Sequence, residues 1–212
     1  MAIDPNSEPN QASFHIWETR TGDEEGSGTD VGHISVALQG RNSNGRYFSF
    51  GPRHAALVNP LTLFFPTAGK VEPNLDSDMK NEGRAPDRTL QTEITEEQLE
   101  AMVSEANRLD EQAQEGTLLY HLFPNTSVLP LLKLYGTRTA HQEAAKCPFS
   151  GRSMKDYRHE SWEKLQNVKE GHCASTVHQI ASQAWDLPEQ NSTPWGIHPT
   201  QLGDQLERVI EG

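Results

Sequence analysis

One of the two cysteines, Cys173, stands where a polypeptide can turn a thiol into a nucleophile. It follows Gly171 and precedes a run in which Val177, Ile180 and Ala181 recur at helical spacing. This pattern predicts a helix that begins near Cys173 and carries its side chain on the apolar face. A thiol in the first turn of a helix is exposed to the positive end of the helix dipole and to unpaired backbone N–H groups, which favour the thiolate. The sequence therefore indicates nucleophilic chemistry at Cys173.

A cysteine nucleophile needs an imidazole within hydrogen-bonding reach and a polar group that orients the imidazole. We assign the role of base to His33, which stands at the start of a predicted β-strand. We assign the orienting role to Ser49, because the predicted hairpin places its strand beside His33. Asp30 and His54 are weaker candidates for the orienting role.

Other interpretations of these residues stay open. His172 and His178 are alternative bases, but His178 is five residues beyond Cys173 and does not share its helix face, and the adjacent His172 side chain should diverge. Cysteines on apolar helix faces are about as often plain core residues as reactive ones. A lone histidine on a strand is usually structural or solvent-exposed.

The elements that must position these residues are predicted from periodicity. The strongest β pattern is a hairpin formed by residues 31–38 and 46–50, with turn residues at 40–45. A capping box at Thr95–Gln98 and helically spaced apolar residues predict a helix that runs to about Gln114. The remaining predicted elements are strands at 13–19, 90–94 and 117–122, a strand or loop at 61–65, a short helix at 127–135, a loop with a short helix within 137–170, and a final helix from Thr200. The polar segment 70–87 is interpreted as loop.

Composition limits the classes of protein. The chain has 212 residues and a formal net charge of −12, with a pI of about 5.1 and a mean hydropathy of −0.71. The acidic balance argues against nucleic acid or an anionic membrane surface as the main partner. We expect no membrane insertion and no secretory signal peptide, because long apolar runs are missing. Because no signal peptide is expected, we also expect two free thiols rather than a disulfide. We expect no metal, because the histidines and cysteines lack metal-ligand spacing, and no cofactor.

Three segments resemble the permuted papain-like, NlpC-like cysteine hydrolases. They are Gly32-His33-Ile34-Ser35-Val36-Ala37-Leu38, Tyr47-Phe48-Ser49-Phe50-Gly51-Pro52, and His172-Cys173-Ala174-Ser175-Thr176-Val177. In that group the histidine strand precedes the cysteine helix, and the helix usually opens with Asn-Cys rather than the His172-Cys173 seen here. The resemblance implies an α+β fold with a papain-like core, in which an antiparallel sheet packs against the helix that carries the nucleophile.

The resemblance also implies a domain plan. We expect a disordered N-terminus over residues 1–12 and a single hydrolase domain over 13–212. Residues 53–170 have no counterpart in the resemblance, and we expect them to form a large insertion that shapes the substrate cleft.

The implied activity is nucleophilic cleavage of amide bonds through an acyl-enzyme on Cys173, with His33 as base. The group includes peptidoglycan peptidases and amidases, and the chain is similar to toxin domains delivered by type VI secretion. We therefore expect an antibacterial effector that needs no signal peptide and acts on peptidoglycan peptides in the target periplasm. Its expected partners are a secretion-machine carrier and an immunity protein. The alternatives are a protease, deamidase or acyltransferase acting in a host cytosol, and a non-catalytic interaction domain.

Overall fold

Two four-stranded sheets and four helices make up the part of the chain that the computed structural model describes, residues 9–19, 32–41, 45–53, 66–123, 167–188 and 196–212. The predicted α+β class is confirmed. The strands are β1 (Gln11–Trp17), β2 (His33–Gln39), β3 (Arg46–Phe48), β4 (Phe50–Pro52), β5 (Thr67–Val71), β6 (Arg88–Glu93), β7 (Leu118–Tyr120) and β8 (Lys169–Gly171). The helices are α1 (Leu75–Glu82), α2 (Glu96–Gln114), α3 (Cys173–Ala181) and α4 (Pro199–Glu211).

The first sheet has two faces of different character. Its order is β3-β2-β1-β6 and all its pairings are antiparallel. The β1–β2 register places Phe14 opposite Val36 and Ile16 opposite Ile34 on one fully buried apolar face. Helix α3 packs against β2, and α4 packs against β1 and β6. The other face is polar, with His33, Ser35 and Tyr47 among its side chains, and it is met by a side chain of α1.

The chain passes from the first sheet to the second at Ser49. The second sheet has the order β4-β5-β7-β8, with parallel pairing only between β7 and β8. The backbone oxygen of Ser49 accepts a hydrogen bond from the N–H of Glu72 (2.9 Å), just after β5. The hairpin pairing between β2 and β3 is therefore confirmed, but the predicted single strand 46–50 is two short strands in different sheets.

Helix α2 begins and ends where the sequence predicts. Thr95 Oγ1 accepts from the N–H of Gln98, and the Gln98 side chain accepts from the N–H of Thr95, which completes the capping box. The buried residues of α2 recur at helical spacing: Leu99, Met102, Ala106, Leu109 and Ala113. This apolar side packs against α3 and β5, so α2 supports the helix that begins at Cys173.

Several predicted boundaries differ from the structure. The segment 70–87 was expected to be loop but contains the end of β5 and helix α1, which Asn74 caps by accepting a hydrogen bond from the N–H of Ser77. Strand β1 begins at Gln11, inside the N-terminus expected to be disordered. Ala12 is fully buried there, which favours an ordered strand. Helix α4 begins at Pro199 rather than after a Thr200 cap. The predicted strand 61–65 and helix 127–135 lie outside the described residues.

The expected insertion contributes to the core of the fold. Strand β6 pairs with β1 along six residues, and α2 packs against α3. Both elements lie within residues 53–170. Strand β6 forms one edge of the first sheet, and β5 and β7 are the two central strands of the second, so the described part of this segment is integral to both sheets.

Candidate active site

Hydrogen bonds among the first residues of α3 define where the helix starts. The N–H of His172 donates to Ser175 Oγ (2.8 Å), and Ser175 Oγ donates to the His172 carbonyl (3.0 Å). Thr176 Oγ1 donates to the same carbonyl (3.0 Å). Cys173 is the first helical residue, as predicted, and the N–H groups of this turn have no carbonyl partner within the helix. The positive end of the α3 dipole therefore lies at the thiol.

His33 is held at the start of β2 by the backbone before it and by the neighbouring strand. Gly32 has φ +75°, and a Cβ at this position would lie 2.8 Å from the carbonyl oxygen of Trp17, so the turn requires glycine. The Trp17 and His33 rings are in contact, with centroids 5.3 Å apart. The His33 side chain is nearly buried, with 7% of the residue exposed. Strand and ring contact together restrict the imidazole to one orientation.

A buried hydrogen-bonded chain runs from His33 through Ser49 to Asp78. Ser49 Oγ donates to Asp78 Oδ1 (2.8 Å) and lies 2.8 Å from His33 Nε2. Because the Ser49 proton points to the carboxylate, its oxygen accepts from His33, which places a proton on Nε2. Asp78 Oδ2 also lies 3.4 Å from His33 Nε2. Nε2 is thus engaged, and Nδ1, which lies 4.0 Å from Glu82 Oε1, is the ring nitrogen left to exchange a proton with a thiol.

A tyrosine completes the surroundings of the carboxylate. The Tyr47 hydroxyl lies 2.5 Å from Asp78 Oδ2 and 2.7 Å from Ser35 Oγ. Burial and the hydrogen bond to Asp78 raise the pKa of Tyr47, so the hydroxyl stays protonated and donates to the carboxylate. Burial alone would raise the pKa of Asp78, but hydrogen bonds and charge from His33, with Tyr47 and Ser49, lower it below its ordinary value. Asp78 is therefore a buried anion behind His33.

The thiol of Cys173 and the imidazole of His33 form an ion pair. Burial alone would raise the pKa of Cys173, but the charge of His33 and hydrogen bonds from His172 and His33 lower it to about 5. Burial alone would lower the pKa of His33, but the charge of Cys173, together with Asp78, holds it well above 6.5. At neutral pH the pair is thiolate and imidazolium, the reactive state of a cysteine nucleophile.

Asp78 is the residue of this site that sequence reasoning missed. It lies on α1, in the segment interpreted as loop, because α1 is short and mostly polar. The signals that mark this helix are its caps: Asn74 before it, and Gly83 after it with φ +69°. The predicted orienting residue, Ser49, does contact His33, and it bridges His33 to the carboxylate.

The other proposed residues occupy different places. The ring of His178 faces the end of its own helix, where Nε2 lies 2.9 Å from the carbonyl oxygen of Pro188, so it is not a base for Cys173. The His172 side chain, expected to diverge, instead hydrogen-bonds to Cys173. His198, which the sequence did not single out, lies near both Cys173 and His172. It is held by a 2.8 Å contact between its Nε2 and Thr19 Oγ1. Asp30 and His54 lie outside the described residues.

A cavity of about 250 Å³ opens on the thiol. Cys173, His172 and His198 form one part of its wall. The apolar part of the wall consists of Leu122, Phe123, Ile197 and Pro199. Although Cys173 itself is only 5% exposed, a reactant seated in this cavity would touch its sulfur.

Within the described ranges, no group of three or more His, Cys, Asp or Glu side chains is placed to hold a metal ion. In the same ranges, none of the helices has the length and apolar character needed to cross a bilayer. The fold and site are those of an α+β protein in which a buried thiol of lowered pKa is paired with an imidazole that faces a buried carboxylate. No protein-family model, no curated protein and no solved structure matches the chain.

Proposed function

We propose that this protein is a cysteine hydrolase that cleaves amide bonds. Cys173 is the nucleophile, His33 acts first as the acid and then as the base, and Asp78 and Ser49 hold His33 in place. The observation that carries the proposal is the Cys173 thiol, which lines a cavity and is paired with the His33 imidazole, which in turn faces the buried carboxylate of Asp78. A purely structural buried cysteine would keep its proton and would need no imidazole partner.

The first half of the reaction forms an acyl-enzyme. The Cys173 sulfur attacks the carbonyl carbon, and the carbonyl electron pair moves onto oxygen beside the N–H groups at the start of α3, which stabilise the negative charge. The tetrahedral species then collapses, and the carbon–nitrogen bond breaks. His33 transfers its Nδ1 proton to the departing nitrogen, so an amine leaves and a thioester remains on Cys173.

The second half of the reaction restores the enzyme. Neutral His33 takes a proton from water as the water oxygen attacks the thioester carbonyl. The carbon–sulfur bond breaks, the carboxylic acid departs, and the thiolate again faces an imidazolium. Asp78 stabilises the imidazolium at both stages, and the Ser49 bridge keeps the proton of the opposite nitrogen in place.

We further propose that the domain has a permuted papain-like core. Two observations support this assignment. The strand that bears His33 precedes the helix that bears Cys173 in the chain, and that helix packs against an antiparallel sheet. The same two features define the resemblance noted in the sequence.

The proposed substrate is a peptidoglycan peptide, and the proposed role is that of an antibacterial effector acting in the target periplasm. This role rests on the sequence resemblance to type VI secretion toxin domains. It includes a carrier in the secretion machine and an immunity protein in the producing cell. The nucleophile and its base are argued from geometry, and the substrate and partners from resemblance.

The test compares purified wild-type protein with two cysteine variants on isolated cell-wall material. Cys173→Ala should release no new amino groups, because no thioester can form, and it should unfold at a temperature close to wild type. Cys147→Ala, at the other cysteine, is the matched control and should retain activity. Toxicity on export to the bacterial periplasm should follow the same order.

Undiminished release by Cys173→Ala would refute the hydrolase proposal. A Cys173 that reacts with iodoacetamide no faster at neutral pH than Cys147 would favour a non-catalytic interaction domain. Toxicity confined to a eukaryotic cytosol would keep the chemistry and overturn the peptidoglycan substrate.

A further inference from the structure

The residues that line the cavity beside Cys173 indicate which part of a substrate it can hold. Its wall includes Gly32 but not the imidazole of His33, although both residues are described and adjacent in the chain. In an amide cleavage the group that leaves must be near the imidazole that protonates it. A group seated in the cavity would contact these wall residues and not the imidazole, so it corresponds to the part of the substrate that stays attached to the carbonyl carbon, the acyl group.

The size of the cavity limits it to one substituent of a substrate. A dry apolar cavity of roughly 150 Å³ can hold a benzene molecule. Pockets for complete small-molecule ligands run from about 300 Å³ upward. At about 250 Å³, this cavity accommodates a benzene-sized or branched aliphatic substituent, and not an entire peptide.

The chemistry of the wall disfavours a charged substituent in the cavity. Leu122, Phe123, Ile197 and Pro199 supply aliphatic and aromatic surface. Burial lowers the pKa of His198 and outweighs the opposite effect of Cys173, so this imidazole is neutral at neutral pH. An acidic substituent would also meet the negative sulfur of Cys173 at short range.

We propose that this cavity is the specificity pocket for the acyl group, and that it takes an uncharged, apolar substituent of about six carbons. The inference rests on the proposed hydrolase function and names the substrate class of the same site. Within a peptide substrate, it places the scissile bond on the carboxyl side of an uncharged residue and excludes an acidic one, so among the bonds of a peptidoglycan peptide it selects those that follow alanine.

The test uses activated esters whose acyl groups differ in length and charge. In each, the Cys173 sulfur attacks the ester carbonyl, the carbon–oxygen bond breaks, p-nitrophenolate leaves with the electron pair, and a thioester remains on Cys173. The probes are the p-nitrophenyl esters of acetic, hexanoic and glutaric acid, the last with a free carboxylate. Acylation rates come from p-nitrophenolate release, the modified residue from mass spectrometry, and each rate is divided by that of N-acetylcysteine with the same ester.

We expect the normalised hexanoyl rate to exceed the acetyl rate by on the order of tenfold, and the glutaryl rate to be the lowest. Leu122→Asp, at a half-buried position of the wall, should abolish the hexanoyl preference, and Leu122→Met should retain it. Equal wild-type rates for the three esters, or a faster glutaryl rate, would overturn the pocket assignment even if Leu122→Asp fails to fold.

A parallel reaction with iodoacetamide separates the two proposals. Rapid alkylation of Cys173 without ester preference would leave the hydrolase proposal standing and would reject the pocket. A Cys173 that iodoacetamide does not modify would refute both.

Discussion

The chemistry of this protein depends on how three buried side chains set one another's charge. Cys173, His33 and Asp78 are each at least nine-tenths covered, and burial alone would oppose the charged form of each. Their mutual attraction and hydrogen bonds reverse that preference at all three positions. An alternating set of charges, anion–cation–anion, is thereby stabilised at neutral pH. The reactivity of the thiol is thus a property of the set and not of Cys173 alone.

The first prediction concerns the pH at which Cys173 becomes reactive. Because its pKa is lowered to about 5, the thiolate forms as pH rises through this value. The rate of alkylation by iodoacetamide should therefore rise near pH 5 and be nearly constant between about pH 6 and 7. Stopped-flow alkylation followed by mass spectrometry measures this profile. The urea-unfolded protein is the control and should show the rise near pH 8.5; a native profile that matches it would disprove the ion pair.

The second prediction concerns Asp78. Asp78→Asn keeps the shape of the side chain but removes the charge that raises the pKa of His33. The pKa of His33 should fall, the thiolate should lose part of its stabilisation, and the alkylation midpoint of Cys173 should move to higher pH. Amide cleavage should fall by about 10²–10⁴-fold.

Thermal denaturation and the alkylation profile together check the role of Asp78. Asp76→Asn, two residues earlier on the exposed side of the same helix, is the matched control and should change neither property. If Asp78→Asn lowered only the melting temperature and left the midpoint at about pH 5, Asp78 would be structural and not a positioning residue for His33.

At the scale of elements, each side chain of the site comes from the beginning or the middle of a short element. Cys173 begins α3, His33 begins β2, and Asp78 lies in the two-turn helix α1. Gly32 and Gly83, both in the left-handed region, set the start of β2 and the end of α1. Backbone conformation at these termini therefore determines where the reactive groups lie.

The third prediction compares these two glycines. Both Gly32→Ala and Gly83→Ala carry the left-handed cost of about 1–2 kcal/mol. At Gly32 the new Cβ would also lie 2.8 Å from the Trp17 carbonyl oxygen, whereas at Gly83 no atom lies within 4 Å. Chemical denaturation should therefore show a larger loss for Gly32→Ala, and only this variant should shift the alkylation profile of Cys173. Equal losses with unchanged profiles would show that the turn at Gly32 does not position His33.

At the scale of the whole molecule, the two ends of the described chain are joined through Arg88 of β6. Its guanidinium forms ion pairs with Glu18 beyond β1 (3.1 Å) and with Asp204 (2.9 Å) and Glu207 (3.3 Å) of α4. Helix α4 in turn packs against β1. One cation is thus shared by three carboxylates in a chain with a formal net charge of −12.

The fourth prediction concerns this network. Arg88→Gln leaves three carboxylates close together and should lower the free energy of unfolding by about 1 kcal/mol, because networks stabilise more than isolated surface pairs. The loss should shrink in about 0.5 M salt, which screens the remaining repulsion. Arg108→Gln, whose ion pair joins it to Glu105 of the same helix, is the control and should cost only about 0.3 kcal/mol. A loss that is independent of salt would show that packing of the Arg88 stem dominates.

Features that depend on residues close together in the chain were predicted correctly, and features that depend on distant residues were not. Helix α2, the start of α3 and the β2–β3 pairing were predicted correctly, because capping residues, apolar periodicity and turn residues act over a few positions. The change of sheet at Ser49 was not predicted, since the alternation of side chains in 46–50 is the same whether the strand continues or crosses over. The strands that pair with the two parts of 46–50 lie far away in the sequence, so the local pattern does not identify them.

The candidate nucleophile and base could be chosen from residue type and local pattern: a cysteine at a helix start and a histidine at a strand start. Whether they meet depended on the packing of α3 against β2, and the carboxylate behind them depended on α1 lying over the polar face of the first sheet. Asp78 looks like any acidic residue of a polar helix when only its neighbours in the chain are considered. It becomes a buried anion because Tyr47, Ser49 and His33 surround it, and these contacts exist only after distant segments have folded together.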